Sequence, residues 1–109
     1  MFEYEDLVIS QSEILPIIRN EFNNYSTKVK NNYDLGTLEA YSNLLEKNWD
    51  RYQTNHERIV ELKTDDNKTH HYFQSTEYTF TDVEEYYYYE HGKLLNIKNQ
   101  LTSEALLNS

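Results

Sequence analysis

One proline and two glycines, at Pro16, Gly36 and Gly92, are all that punctuate this chain of 109 residues. An all-β fold needs tight turns, and tight turns draw on residues of these two kinds, so the chain is expected to fold into a few long helices. Its length suits one domain with a modest core, taken as residues 1–109.

Helical periodicity divides the chain into three segments. In the first, about 12–31, Ile14, Ile18, Phe22, Tyr25 and Val29 follow one another at four, four, three and four, which is one helical stripe. Ser10 with Glu13, or Ser12 alone, is placed to cap it. Pro16 is tolerated near a first turn, so residues 1–11 are expected as an arm. The second segment, about 35–63, opens behind Asp34, a good N-cap. It carries Leu38, Tyr41, Leu45, Trp49, Tyr52, His56 and Ile59 at spacings of three and four. A polar connector, 64–80, follows, from which Tyr72 and Phe73 are expected to tuck back over the end of the bundle. The third segment, about 81–106, opens on Thr81 and Glu84, a capping box, and carries Phe80, Val83, Tyr87, Glu90, Leu94, Ile97 and Leu101 on its seam.

Folding the third segment back on the second with the turn near residue 71 sets Ile59 by Val83, His56 by Tyr87, Tyr52 by Glu90, Trp49 by Leu94 and Leu45 by Ile97. The expected fold is an all-α antiparallel three-helix bundle with a long coiled-coil-like hairpin. His56 and Glu90 fall in adjacent layers beside tyrosine hydroxyls and read as a polar layer that sets the register.

The motif "EEYYYYEH" raises a separate question, since Tyr86, Tyr87, Tyr88 and Tyr89 span about 300° of a helix. Tyr87 faces the second helix, Tyr86 or Tyr88 flanks that seam, and Tyr89 points outward. Tyr86, Tyr88, Tyr89, Tyr72 and Phe73 are therefore the candidate interface residues, and Leu45, Trp49, Tyr52, His56, Val83, Tyr87, Glu90 and Leu94 the core and register residues.

Charge and composition exclude several function classes. With 10 Lys and Arg against 19 Asp and Glu, the formal net charge is −9, and the cations are scattered rather than gathered into a phosphate-binding patch, so this domain is not expected to bind nucleic acid directly. There is no cysteine, hence no disulfide, thiolate ligand or thiol nucleophile. His70 and His71 are adjacent in the connector, whereas helical zinc ligands want four-residue spacing. The phosphate-loop, nucleophile-elbow and zinc-protease motifs are missing. The expectation is no cofactor, no metal and no catalysis. The N-terminus lacks a basic region followed by an apolar run, and no stretch reaches membrane-spanning length. An intracellular, soluble protein follows, cytoplasmic by default and compatible with the nucleus.

The stretches "LEAYSNLLEKNWDRYQTNHERIVEL" and "HHYFQSTEYTFTDVEEYYYYEHGKLLNI" resemble the N-terminal helical region of Gag-like proteins from insect retrotransposons of the BEL/Pao type. The matching positions are Leu45, Glu46, Trp49, Tyr52, His56 and Ile59 or Val60, then Tyr72 and Phe73, then Glu84 or Glu85, Tyr87 or Tyr88, and Leu94. The resemblance covers roughly residues 35–101 and implies a structural role, particle assembly through protein–protein contacts, with no catalytic residue. The basic tail or zinc knuckles that would bind RNA in such a polyprotein are missing, and the chain reads as an excised domain or a shortened, host-adopted product. Homo-oligomerisation, with a dimer favoured, is the first functional expectation. The alternative is a domesticated binding module that receives a partner peptide or protein on its acidic, aromatic surface.

Overall fold

The computed structural model describes residues 3–64, 72 and 80–107. Among them lie four helices and no strand: α1 (Glu3–Arg19), α2 (Glu21–Lys28), α3 (Leu35–Glu61) and α4 (Phe80–Leu107). Both α1 and α2 pack against α3 and α4, and α3 packs against α4. The molecule measures 62 × 20 × 18 Å, so each helix keeps a long side near solvent.

The N-terminal region departs from expectation in two ways. Residues 3–11, expected as an arm, belong to α1, and Pro16 lies well inside that helix rather than in its first turn. Burial accounts for the longer helix. Val8, Gln11, Ile14, Leu15 and Ile18 are all buried, and Val8 packs with Ile59 and Tyr72 while Tyr4 and Leu7 flank them. Glu3, Glu5 and Asp6 in the first turn complement the helix dipole. An ion pair between Glu3 Oε1 and Arg58 Nε (2.6 Å) ties that turn to α3. The helix ends one turn after the proline. Asn20 breaks the helix at φ −112°, ψ 12°, and both its backbone N–H and its side-chain Nδ2 donate to the Pro16 carbonyl (3.1 and 2.9 Å). The apolar stripe continues through Phe22 and Tyr25 in spite of the break.

The turn after α2 is built without glycine. Lys30 (φ 55°) and Asn31 (φ 61°) both take the left-handed conformation. The Lys30 N–H donates to the Thr27 carbonyl and the Asn31 N–H to the Ser26 carbonyl, the two bonds of a Schellman ending. Asp34 then caps α3, as its place in the sequence predicts: its Oδ1 accepts from the Thr37 N–H at 2.9 Å.

Along α3 the predicted stripe is the buried one, with Leu38, Leu45, Trp49, Tyr52 and Ile59 inside together with Asn48. On α4 the buried residues are Val83, Glu90 and Leu94. Since α4 begins at Phe80, Thr81 sits within the helix instead of capping it.

The register between α3 and α4 also differs. Trp49 stacks on Tyr87 (centroids 5.2 Å apart, rings 12° from parallel) instead of meeting Leu94. His56 lies on Phe80 (4.7 Å) instead of Tyr87. Both displacements are seven residues, 94 − 87 and 87 − 80, or one heptad. A one-heptad slip leaves the same seam facing inward, so periodicity alone does not choose between the two. Ring stacking does: in the observed register Trp49 touches both Tyr87 and Phe80 (5.3 Å) across the seam, with Tyr52 (6.1 Å) beside it on its own helix.

Trp49 is buried and central to this cluster, so Trp49→Ala is expected to cost about 3–5 kcal/mol, read as a large fall in the urea midpoint. A loss below about 1 kcal/mol would contradict the stack. Lys30→Gly is expected to act the other way, gaining on the order of 0.5–1 kcal/mol by relieving the left-handed side chain.

Candidate interaction surface

The tyrosine run divides between the inside and the outside of the molecule. Tyr87 is stacked on Trp49, and Tyr86 packs on the edge of the main core. Tyr88 and Tyr89 are 62% and 66% exposed. Tyr88 is tilted against Tyr87 at 5.4 Å. The Tyr89 ring holds the Lys93 ammonium 4.1 Å from its centre, a cation–π contact that fixes an otherwise free ring.

Beneath Tyr89 lies a buried acidic pair. Glu21, from the first turn of α2, and Glu90, from α4, are both shielded from solvent. Lys93 Nζ stands 3.6 Å from Glu90 Oε2 and 5.3 Å from the centre of the Phe22 ring, so one ammonium joins Tyr89, Glu90 and Phe22. Burial, and then the neighbouring Glu90, push the Glu21 carboxyl from 4.5 up to about 7. Burial also raises Glu90, opposed by Lys93 and by the Phe22 backbone N–H that bonds its carboxylate.

The expected polar layer of His56 and Glu90 is therefore divided. Glu90 faces α2, while His56 bonds the Tyr72 hydroxyl (2.7 Å). Tyr72 folds back onto the bundle as expected, but it is buried rather than available as an interface residue: its hydroxyl also accepts from Gln11 Nε2 (3.3 Å), which donates in addition to the Tyr52 carbonyl (2.9 Å). Burial lowers the His56 pKa, opposed by the nearby Glu57 carboxylate. Phe73, His70 and His71 lie outside the described residues. Leu45, Tyr52, Val83 and Leu94 are buried with Trp49, and Tyr87 and His56 are half-buried. Gln11, Glu21 and Asn48 are the polar residues missed by periodicity arguments. Each falls at helical spacing from buried neighbours, Gln11 between Val8 and Leu15, Glu21 between Ile18 and Tyr25 and Asn48 between Leu45 and Tyr52, and that spacing was the available signal.

Projected at 100° per residue, the solvent side of α4 carries Thr81, Glu85, Tyr88, Tyr89, Gly92, Leu95, Asn96, Asn99, Ser103 and Leu106. All are exposed except Gly92, which is half-buried. Glu85 is the one charge among them. The exposed side of α3 is different in kind, with Glu39, Glu46, Lys47, Asp50, Arg51, Glu57, Arg58 and Glu61. Between the two helices runs a groove of about 330 Å³, with Leu38 and Leu94 at its base, Leu35 and Leu95 at its lips, and Glu39, Glu46, His91 and Lys98 around it. Among the described residues no group of three or more His, Cys, Asp or Glu is placed to hold a metal ion, and no helix is long and apolar enough to cross a membrane.

The acidic pair makes a pH test of this architecture. A carboxyl whose pKa is raised by folding costs nothing below its unfolded value of 4.5 and costs most above its folded value of about 7. Its contribution to stability therefore falls as pH rises between those two values. Glu21→Gln is expected to match the parent at about pH 5 and to exceed it by on the order of 2 kcal/mol at about pH 8, by urea unfolding of both proteins. Titrating groups away from the pair, His56 included, cancel in the comparison, and Glu90, coupled to Glu21, shifts with it in the same sense. A difference that does not change with pH would refute the buried pair.

Comparisons with protein-family models, with curated proteins and with solved structures gave no match to this chain.

Proposed function

We propose that this chain is a non-enzymatic interaction domain, an antiparallel helical bundle that self-associates through the solvent side of α4. The observation that carries the reading is the pair of exposed rings, Tyr88 and Tyr89, on a helix side that bears one charge in a chain of net charge −9. Two exposed tyrosines with Leu95 and Leu106 form an apolar strip of the kind that marks contact surfaces, where tyrosine is enriched and charge depleted. The resemblance to BEL/Pao-type Gag-like helical regions supports the same reading, because assembly through protein–protein contacts is what it implies. On this proposal the domain is a structural piece of a Gag-like protein, with a dimer as its basic unit.

A second reading has its own observation. Glu46 and Asp50 lie close enough to raise the Tyr87 hydroxyl pKa, after the larger effect of burial. Exposed Leu35 and Leu95 border the adjoining groove. This leucine-lined groove, with Glu39 and Glu46 at its edge, suits a basic amphipathic peptide of another protein.

Molar mass by light scattering at low and high salt separates the two. Self-association predicts a mass that climbs toward the dimer over tens of micromolar, and climbs further in salt, which screens the repulsion between two negative chains. Tyr89→Glu is then expected to give a monomer of unchanged helicity. A parent that stays monomeric in every condition would end the self-association reading and favour the peptide groove.

A further inference from the structure

Helix α2 is joined to the rest of the molecule at two non-helical points. Asn20 breaks the chain before it, and the left-handed pair Lys30 and Asn31 turns the chain after it. Of its eight residues only Glu21 and Tyr25 are buried. Tyr25 is the apolar anchor, tilted on Tyr41 (4.7 Å) with its hydroxyl 3.1 Å from Thr37 Oγ1. The first turn is held differently. Asn20 turns its side chain back to the Pro16 carbonyl and caps no N–H of α2. The acceptor at that end comes from α4, where the Glu90 carboxylate receives the Phe22 N–H. A carboxylate in that place is stabilising, because it meets a free N–H group and the positive end of the helix dipole.

We infer that α2 is a pH-sensitive latch, shut on α4 by the Glu90 carboxylate and opened when the neighbouring Glu21 ionises, while α1, α3 and α4 stay packed. The latch does not depend on self-association. Glu21 and Glu90 are 2% and 4% exposed, and Glu21 Oε1 has no hydrogen-bond partner among the described residues. Such a setting suits a neutral carboxyl and penalises a charged one.

No second cation stands ready for a second carboxylate. The elements packed against α2 are α3 and α4. From α4 the groups on this side are Glu90, Lys93 and the Tyr86 hydroxyl. Lys93 is already engaged by Glu90 and by the rings of Phe22 and Tyr89. From α3 come Thr37 and Tyr41, neither of them charged near neutral pH. Arg19 before the break and Lys28 at the far end of α2 are both exposed. Ionised Glu21 is relieved by reaching water, and swinging out α2 is the smallest motion that takes it there. None of the rings stacked around Trp49 comes from α2, so that cluster survives the opening.

The test is hydrogen exchange of the full chain at about pH 5 and about pH 8, corrected for the chemical exchange rate and repeated in urea below the unfolding transition. Amides from Phe22 to Lys28 are expected to exchange through an opening more frequent than global unfolding and weakly dependent on urea. Amides around Trp49 are expected to exchange through a rarer, steeply urea-dependent one. With the Glu21 carboxyl moved from 4.5 to about 7 by closure, the opening of α2 grows on the order of fifty-fold between the two pH values. Glu21→Gln is expected to abolish that growth. Glu90→Gln keeps an acceptor for the Phe22 N–H but removes the neighbouring charge. It is expected to reduce the growth without abolishing it, since burial is the larger cause of the Glu21 shift. An α2 that exchanges together with the Trp49 region, with the same urea dependence, would overturn the latch, and the pair would then act on the fold as a whole. A rise with pH that survives Glu21→Gln would overturn it as well.

Discussion

The stacking of Trp49 on Tyr87 decides how the two long helices meet. Two seams of period three and four accept more than one heptad register with almost equal apolar burial. Aromatic rings are less tolerant, since stacked or tilted contacts at 5–6 Å add roughly 0.5–1.5 kcal/mol each beyond the area they bury. In the observed register Trp49 meets both Tyr87 and Phe80 across the seam, with Tyr52 beside it on its own helix. That cluster fixes the rotation of α4 about its own axis. With Tyr87 turned in and Tyr86 at the core edge, Tyr88 and Tyr89 are turned out.

The same rotation brings Glu90 inward beside Glu21, and Lys93 stands against the Glu90 carboxylate. An acidic pair is an expensive way to fill a helix junction, and above neutral pH it opposes folding. It nevertheless places Lys93 beneath the Tyr89 ring and orders the surface from below. Core, polar junction and outer strip thus depend on one another through three consecutive turns of α4. The rest of the outer surface is what a chain of charge −9 is expected to show, and the side of α4 that carries Glu85 alone is the exception to it.

Much of this was legible in the residues themselves. The buried side of α3 and the capping of its first turn by Asp34 follow from spacing and from local hydrogen-bonding chemistry, which need no tertiary partner. The early start of α1 was hidden by Pro16, because the cost of an interior proline is local while the gain from burying Val8 and Gln11 comes from α3. The heptad slip was hidden for a different reason: periodicity reports which face is inside and is silent about where along the partner it sits. That Tyr72 folds back was legible, but its full burial was not, because an aromatic residue in a polar connector carries no periodic signal and its burial depends on Gln11 and His56, far away in sequence. Glu21 and Glu90 reached the interior on the strength of their neighbours' spacing, against their own preference for water.

The structure turns one side of α4 onto Trp49, and our proposal is that the other side receives a second copy. The chain has no cysteine, so one introduced at Asn99 carries a unique spin label, and the intermolecular distance between two such labels reads the claim directly. Asn99 lies on that exposed side of α4. The account predicts a defined intermolecular separation whose amplitude grows with protein concentration. No intermolecular distance at any concentration, or a shorter one from a label at Lys47 on the charged side of α3, would contradict it.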